Sequence, residues 1–393
     1  NLYGNCHCMN EARFVFYGMQ EKSVVSWSNM ITKCTQNGSP KEALDIFHGM
    51  QECGVKPNMI TFICLLEACS SLTSLHDGRA IAMCIDESGL GGDVMLGNAL
   101  MSMYGKCGAL VEAEQVFGAM SDRNVISWTA MISAYHEHGQ GDKALQLYAQ
   151  MQHESVHADQ LTYMIALQAC GVLAEKEEES LALKEISYKI IALEIGQLLH
   201  EDVKMKGFGS DAFIGTALLN MYSKCGSLDE AFRMFNRIQK HDIIAWNAMI
   251  AACVYCHDNK CALDVFEKLM HQEGVKPNHS TYVSILRACA SMGTNANFSW
   301  IHVHIILSGI EMDVVIGTAL VSMYSRCGNL ELAESVFNRM PQRDLVTWNT
   351  LLSAYLYYLH SFDTLKFLLQ MKLNGIDPDD YTFSAAIDGC SDL

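Results

Sequence analysis

Two sequence motifs recur along this chain of 393 residues with the same spacing. Four tryptophans lie 101, 118 and 102 residues apart, at Trp27, Trp128, Trp246 and Trp348. The motif Tyr-x-(Lys/Arg)-Cys-Gly begins at Tyr104, Tyr222 and Tyr324, with a degenerate copy at Tyr3, and its tyrosines keep the same three separations. Two independent motifs that share one spacing indicate an internal repeat with a period of about a hundred residues.

Each period divides into three units that have the pattern of a helical hairpin. Ten complete repeats are predicted between residues 24 and 379, with partial repeats at 1–23 and 380–393. The complete repeats are 24–58, 59–93, 94–124, 125–159, 160–211, 212–242, 243–278, 279–313, 314–344 and 345–379. The repeat 160–211 carries about 17 extra residues, placed near 175–191 between its two helices. An insertion at a turn costs little closure entropy, so we expect a tolerated loop at the rim.

The apolar residues of each repeat follow helical periodicity. In the second helices they recur at i, i+3, i+4 and i+7, as at Ala43, Ile46, Phe47 and Met50, which places them on one helix face. A single hairpin cannot bury such a face alone, so neighbouring hairpins must stack, and the aromatic and methionine stripes form the core. The predicted fold is all-α, a superhelical α-solenoid of helix-turn-helix repeats with the first helices on the inner side.

The composition fits a folded helical chain and limits the functions open to it. Half of the residues are hydrophobic, 18% are charged and only five are prolines, which excludes wholesale disorder and favours helices. No apolar run approaches the ~20 residues of a membrane helix. The net charge of −17 is opposite to that of most nucleic-acid binders and predicts modest non-specific affinity. The sixteen cysteines, spread through helical segments, are interpreted as reduced, mostly buried thiols.

Three further motifs carry a family resemblance. Residues 125–132 read Val-Ile-Ser-Trp-Thr-Ala-Met-Ile, residues 97–108 read Gly-Asn-Ala-Leu-Met-Ser-Met-Tyr-Gly-Lys-Cys-Gly, and Gly-Val-Lys-Pro-Asn occurs at 54–58 and 274–278. With repeat lengths that alternate among 31, about 35 and a variable third unit, the chain resembles the plant PLS-class pentatricopeptide repeat family. The resemblance covers the whole chain apart from the insertion. Tetratricopeptide repeats, which have a similar length, place their Trp, Leu-Gly and Tyr at different offsets.

The resemblance implies that the chain binds single-stranded RNA along a groove lined by the first helices, with one base read per repeat. In the family, the fifth and the last residue of a repeat read the base. The pairs here are Ser28 with Asn58, Asn98 with Asn124, Thr129 with Asp159, Thr216 with Asp242, Asn247 with Asn278, Thr318 with Asp344, and Asn349 with Asp379. The alternative is helix capping, since Asp and Asn directly before a helix are good N-caps, and the last residues are able to do both.

The resemblance also implies that the second residue of each repeat sandwiches the bases. These residues are apolar: Val25, Met95, Ile126, Phe213, Ile244, Val315 and Val346. Ordinary packing between repeats is the alternative interpretation. The repeats 59–93, 160–211 and 279–313, which we call the third-type repeats, depart from the family pattern, because their fifth residues are Ile63, Met164 and Val283, and we assign them no base.

The family's code reads Ser with Asn as adenine, Thr with Asp as guanine, Asn with Asp as uracil and Asn with Asn as cytosine. Taken parallel to the chain, the ten repeats are expected to read A, gap, C, G, gap, G, C, gap, G, U.

No complete catalytic or metal site is evident, so we predict neither enzymatic activity nor a cofactor. His271-Gln272-Glu273 matches half of a zinc deaminase motif, but the required Cys-x-x-Cys does not follow it. Cys253-Val-Tyr-Cys256-His257 matches a haem-attachment pattern, with Cys261 nearby, yet a short motif without supporting ligands is a weak signal. A deaminase domain could lie outside this sequence or act in trans.

The expected function is therefore sequence-specific binding of organellar RNA, in C-to-U editing or in RNA processing and stability. Editing factors acting in trans are expected partners, and no membrane is. The resemblance implies a mitochondrial or chloroplast location, and because the chain begins at Asn1 we expect any targeting segment to lie outside it. A peptide-binding scaffold of tetratricopeptide type is the alternative, and the acidic charge favours it.

Overall fold

The computed structural model describes residues 9–176, 187–209, 211–293, 298–310, 313–358 and 361–391. These ranges contain 22 α-helices and no strand. The all-α prediction is confirmed. The chain divides into two bodies, Asn1–Phe208 and Gly209–Leu393, which we call the N-terminal and C-terminal bodies.

The helices of the N-terminal body alternate between first and second helices of the repeats, after one helix from the first partial repeat. They are α1 (Met9–Gly18), α2 (Val24–Gln36), α3 (Pro40–Glu52), α4 (Met59–Leu72), α5 (Leu75–Glu87), α6 (Val94–Lys106), α7 (Leu110–Ala119), α8 (Val125–Glu137), α9 (Gly141–His153), α10 (Gln160–Ala174) and α11 (Tyr188–Met205).

The C-terminal body continues the same alternation. Its helices are α12 (Ala212–Lys224), α13 (Leu228–Arg237), α14 (Ile243–Tyr255), α15 (Asn259–Met270), α16 (His279–Met292), α17 (Ser299–Ser308), α18 (Val314–Arg326), α19 (Leu330–Arg339), α20 (Leu345–Tyr357), α21 (Ser361–Leu373) and α22 (Asp380–Ser391).

The starts of the ten predicted repeats, and of the partial repeat at 380, coincide with the first residues of helices α2, α4 and so on to α22. The predicted end of the insertion is wrong. The insertion is expected near 175–191, between the two helices of its repeat, but α11 begins at Tyr188, so residues 188–191 form the first turn of the second helix. Residues 177–186 of the insertion lie outside the described residues, as does Tyr3.

The Tyr-x-(Lys/Arg)-Cys-Gly motif ends the first helix of each short repeat. In all three copies the glycine has a left-handed backbone, with φ of 75° at Gly108, 79° at Gly226 and 81° at Gly328. The residue after the glycine donates its N–H to the carbonyl oxygen of the motif tyrosine, over 2.8–2.9 Å. This is the Schellman arrangement, and it explains why tyrosine and glycine keep a fixed separation.

The core repeats one aromatic pair. Each of the four tryptophans is buried and packs edge-to-face against a phenylalanine from the second helix of the preceding repeat, with ring centroids 4.8–5.0 Å apart. The pairs are Phe16–Trp27, Phe117–Trp128, Phe235–Trp246 and Phe337–Trp348. Such pairs contribute about 0.5–1.5 kcal/mol beyond their buried area. They join each short repeat, including the first partial one, to the long repeat that follows it.

Packing within each body forms a continuous row of first helices. In the N-terminal body α2, α4, α6, α8 and α10 contact one another in succession, and in the C-terminal body α12, α14, α16, α18, α20 and α22 do the same. Second helices such as α3, α9 and α15 lie against the first helices of their own repeat and of the next one. The predicted core stripes are buried, as at Ala43, Ile46, Phe47 and Met50. We call the exposed side of this row the first-helix face.

The described cysteines form no disulfides with one another, and all but Cys53 are at least partly buried. Burial raises the pKa of Cys69 and Cys289 to about 12, so these groups stay protonated at neutral pH. None of the described helices is both long and apolar enough to cross a membrane.

Close packing at the start of α9 predicts a large cost for one methyl group. A Cβ at Gly141 would lie 2.6 Å from the carbonyl oxygen of Ala169 and 3.0 Å from the amide nitrogen of Leu173. Because both are backbone atoms of α10, we expect Gly141→Ala to lower the free energy of unfolding by about 1–3 kcal/mol. Urea unfolding of the purified chain measures this.

Gly118→Ala is the matched control, because a Cβ at this helical glycine meets no atom within 4 Å. Alanine has the higher helix propensity, so the control should leave stability unchanged or raise it by up to about 1 kcal/mol. Equal effects of the two substitutions would contradict the close approach of α9 to α10.

Candidate nucleic-acid interface

The second residue of each first helix places an apolar side chain in solvent. The seven predicted stacking residues Val25, Met95, Ile126, Phe213, Ile244, Val315 and Val346 are all exposed, from 50% at Val315 to 68% at Phe213. This exposure contradicts the alternative that they serve as ordinary packing between repeats. Since large apolar residues recur there at one register position, the first-helix face carries a periodic apolar row.

Three members of this row were missed by the sequence analysis. Ile60 and Leu161 are the second residues of two third-type repeats, and Tyr381 is the second residue of the last partial repeat; all three are exposed. The sequence signal that could have found them is their position, since each is the second residue of its repeat, like the seven predicted residues. The remaining third-type repeat has Ser280 at this position.

The last residue of each repeat that is predicted to read a base caps the following helix. Its side-chain oxygen accepts a hydrogen bond from the backbone N–H of the third residue of that helix, over 2.8–3.1 Å. This holds for Asn58, Asn124, Asp159, Asp242, Asn278, Asp344 and Asp379. The capping interpretation is therefore confirmed. It leaves the second carboxylate oxygen or the amide group for other partners.

The fifth and last residues meet directly where the fifth residue is asparagine in a long repeat. Asn247 donates through Nδ2 to Oδ1 of Asn278 over 3.1 Å. Asn349 donates through Nδ2 to both carboxylate oxygens of Asp379, each over 3.2 Å. In the first repeat, the hydroxyl of Ser28 lies 3.4 Å from Oδ1 of Asn58.

In two of the three repeats whose fifth residue is threonine, the fifth and last residues are joined through a third side chain. The hydroxyl oxygens of Thr129 and Thr162 lie 2.7 Å apart, and Thr162 donates to Oδ1 of Asp159 over 2.7 Å. The same bridge runs from Thr318 through Thr347 to Asp344, over 2.7 and 2.6 Å.

Two of the predicted pairs are not brought together by hydrogen bonds among the described residues. Thr216 donates its hydroxyl to the carbonyl oxygen of Ala212, one turn back in its own helix, over 2.9 Å and not toward Asp242. Oδ1 of Asn98 is buried and has no hydrogen-bond partner, while Asn124 bonds with Ser127.

Buried hydroxyls at the third helix position were also missed by the sequence analysis. Thr61, Ser127, Thr162, Thr281, Thr347 and Thr382 are each 0% exposed. Each donates its hydroxyl to the capping Asn or Asp three residues earlier. The sequence signal was present as Asn or Asp followed by Ser or Thr at the third helical position, which is a capping pattern.

The third-type repeats end in the same cap but lack the polar partner. Asp93, Asp211 and Asp313 accept from the third N–H of α6, α12 and α18 over 2.9–3.1 Å. The fifth residues of their repeats are the apolar Ile63, Met164 and Val283. In these three repeats the capping aspartate therefore has no polar fifth residue in its own repeat.

A cavity of about 350 Å³ lies between α6, α8 and α10 on the first-helix face of the N-terminal body. Four predicted site residues line it: Asn98, Ile126, Thr129 and Asp159. Lys106, Glu137 and Leu161 are among the other lining residues. Members of the apolar row, a polar pair, a basic and an acidic residue thus meet at one opening.

Sequence profiles of known families match the chain in a regular order. The PPR repeat family profile matches residues 22–71, 123–171, 241–291 and 343–392, which is more than half of the chain. A second profile, the PPR repeat, matches 98–125, 216–243 and 318–345. The chain belongs to the pentatricopeptide repeat (PPR) family. Most residues of the three third-type repeats fall between these matches, in agreement with their departure from the common pattern.

Relatives of this PPR chain are plant proteins. It is 32% identical over 392 residues to the pentatricopeptide repeat-containing protein At4g18520, chloroplastic, of Arabidopsis thaliana, covering all of this chain and 61% of that protein. It is 33% identical over 391 residues to At1g11290, chloroplastic, of the same plant, covering all of this chain and 46% of that protein. The chain thus spans about half the length of these relatives.

A solved structure supports the same fold for the PPR chain. The crystal structure of the pentatricopeptide repeat protein PPR10 from maize matches with a TM-score of 0.50 and 21% sequence identity. The match covers 99% of this chain and 65% of that one. The predicted α-solenoid of pentatricopeptide repeats is therefore confirmed.

Hydrogen bonds keep one capping carboxylate of the PPR chain ionised. The hydroxyl and the backbone N–H of Thr382 both donate to Asp379, and Asn349 adds a further donor. These bonds hold the pKa of Asp379 below its ordinary value. At neutral pH the group is therefore purely a hydrogen-bond acceptor.

The cysteine and histidine motifs of the PPR chain do not form a catalytic constellation. Cys253 is buried with its sulfur 2.8 Å from that of Cys261, and Cys256 contacts the carbonyl oxygen of Ser223. His271 is bonded to the carbonyl oxygen of Glu267. Within the described ranges, no three His, Cys, Asp or Glu residues are grouped to hold a metal ion.

The exposed row predicts that its members contribute little to stability. Phe213→Ala should change the free energy of unfolding by less than about 0.5 kcal/mol, because the ring is largely in solvent. Trp246→Ala, in the same body, should cost about 3–5 kcal/mol because it removes a buried ring from the repeated aromatic pair. Chemical unfolding of both variants provides the comparison. A large loss for Phe213→Ala would mean that the second residues are packing residues after all.

Proposed function

We propose that this PPR chain binds single-stranded RNA sequence-specifically along its first-helix face, one base per reading repeat. The observation that carries the proposal is the periodic apolar row, half or more exposed, which flanks the polar pairs. Every nucleobase has a flat face that packs well on apolar side chains, and its edge carries donors and acceptors. A surface that repeats one apolar and one polar feature per hairpin suits a chain of bases.

Basic residues at the ends of some first helices support this proposal, although the net charge of the chain is −17. The first helices of the short repeats each end on a basic residue, Lys106, Lys224 or Arg326. Lys106 lines the cavity between α6, α8 and α10, and Arg326 lines one of about 660 Å³ on the first-helix face of the C-terminal body. Phosphates of a bound strand would lie near these residues. The small number of such contacts predicts weak salt dependence.

The subclass of the chain, its organelle and the use of its RNA binding are also proposed. The triplet of repeat lengths favours the PLS class, whose members serve organellar RNA. Relatives named chloroplastic support an organellar location, a chloroplast or a mitochondrion, and C-to-U editing with factors in trans is one use of the binding, beside RNA processing and stability. A tetratricopeptide-type peptide scaffold fits less well. Its ligand would be read through peptide groups and not through amide and hydroxyl pairs that recur once per repeat.

The decisive experiment changes one pair and reads one base. The repeat 125–159 is expected to read guanine through Thr129 and Asp159. Thr129→Asn should recreate the arrangement of the repeat 345–379, in which Thr382 donates to Oδ1 of Asn349 and Asn349 donates to Asp379. We therefore expect the preference at the fourth position to shift from guanine to uracil, with each preference worth about 1–3 kcal/mol.

Four RNAs that differ only at the fourth position, measured by fluorescence anisotropy, test this shift. A matched pair of cap substitutions is the control, since asparagine caps a helix about as well as aspartate. Asp159→Asn should weaken the guanine preference, whereas Asp93→Asn, in a cap without a polar fifth residue, should leave all preferences unchanged. Equal binding of the four RNAs before and after Thr129→Asn would show that the pair caps and does not read.

A further inference from the structure

We infer that the buried hydroxyl at the third position of the following helix is a positioning residue, which fixes the hydrogen-bonding polarity of the fifth residue. The inference rests on the proposed RNA-binding function and deepens it. Thr162 and Thr347 are the clearest cases. Both are 0% exposed, so they act on a bound base only through their neighbours.

The direction of the hydrogen bonds follows from the chemistry of the cap. An ionised carboxylate can only accept, so the hydroxyl of Thr162, 2.7 Å from Oδ1 of Asp159, must donate to it. The oxygen of Thr162 is then left to accept, and Thr129, 2.7 Å away, supplies the donor. The only proton of the Thr129 hydroxyl therefore points inward, and its lone pairs remain for the groove.

This polarity selects among bases. A hydroxyl that presents lone pairs, beside the second oxygen of Asp159, forms a surface of acceptors only. Guanine matches it, because its Watson–Crick edge carries the donors N1–H and N2–H₂, whereas adenine has an acceptor at N1. If the wrong base is bound, its acceptor faces another acceptor and stays unpaired.

In the asparagine pairs the hydroxyl lies between the two side chains of the pair. The hydroxyl oxygen of Thr281 is 2.6 Å from Oδ1 of Asn247 and 3.0 Å from Oδ1 of Asn278, so its one proton is shared between two acceptors, and Asn247 donates through Nδ2 to Asn278. The hydroxyl of Thr382 lies in the same way between Oδ1 of Asn349, at 2.7 Å, and Oδ1 of Asp379, at 2.5 Å. The hydroxyl thus fixes which end of the amide faces the cap, and the remaining N–H of Nδ2 is available to a base.

One repeat lacks the hydroxyl and provides a natural comparison. The repeat 212–242 has the same Thr–Asp pair, but the third residue of the next helix is Ala245. Thr216 donates to Ala212 in its own helix, and nothing bridges it to Asp242 among the described residues. This bond does not couple Thr216 to its capping residue, so we infer that its hydroxyl can turn and donate outward when a base is bound. We therefore expect weaker guanine preference at the sixth position than at the fourth and ninth.

The test removes the hydroxyl in one repeat and adds it in another. Thr162→Val keeps the shape of the side chain and should reduce the guanine-over-adenine preference at the fourth position by roughly 3- to 10-fold, the range for one hydrogen bond. Thr162→Ser should restore it. Ala245→Thr should raise the preference at the sixth position by a similar factor. In each variant the ninth position, read by Thr318 and Asp344, should stay unchanged.

Base preference is a ratio measured on one protein sample, so partial unfolding of a variant cancels from it. A purely structural role would lower the affinity for all RNAs equally and would leave the ratio alone. Unchanged ratios in Thr162→Val and Ala245→Thr, with guanine preferred in the wild type, would overturn the inference while the proposed function stands. No preference at any position of the wild type would overturn both.

Discussion

Stacking of one hairpin on the next is the interaction on which the rest of the molecule depends, and at four junctions a buried Phe–Trp pair makes this contact. A hairpin of two short helices has too little core of its own, and its apolar face must be covered by its neighbour. The tryptophan is the fourth residue of a first helix, and the phenylalanine comes from the preceding second helix. Their edge-to-face contact, at 4.8–5.0 Å in four places, sets the register between successive hairpins.

That register determines what the first helices present. With the fourth residue turned into the core, the second residue points to solvent and the fifth lies beside the start of the next first helix. The last residue of the repeat then caps that next helix, and the capping bond brings it within reach of the fifth. The candidate site is thus a by-product of ordinary helix capping and core packing, repeated along the chain. The cap contributes about 1 kcal/mol to stability whether or not a base is bound.

Much of the fold could be predicted from the sequence, because a boundary that is misplaced in one repeat disagrees with the equivalent boundaries in the other repeats. Eleven predicted repeat starts fall on the first residue of a helix, since an Asp or Asn cap precedes ten of them and the capping Ser23 precedes the other. The core stripes were predictable because Phe47, Phe117 and Phe337 recur in one helical phase. The exposure of Val25 and Phe213 was not, since an apolar residue near a helix start is compatible with core and surface alike. Only packing decides between them.

Side-chain hydrogen bonds were the least predictable part. The pairs Thr129–Asp159 and Thr216–Asp242 have identical residues, yet one is bridged and the other is not, because the deciding residue lies three positions into the next helix. The boundary of the insertion was misplaced for a related reason. Helix α11 begins at Tyr188, inside the predicted insertion. A comparison of repeat lengths does not detect a helix that extends into an insertion.

Selection from a pool of randomised single-stranded RNA by the purified chain tests the central claim most directly. The account predicts enrichment of one ten-nucleotide pattern, A, any base, C, G, any base, G, C, any base, G, U, with the three unconstrained positions at the third-type repeats. The sixth position should be the least selective of the guanines. Enrichment of an unrelated pattern would contradict the account, and so would a selected base at a third-type position. It would also be contradicted if no RNA were enriched while the chain captured basic peptides strongly.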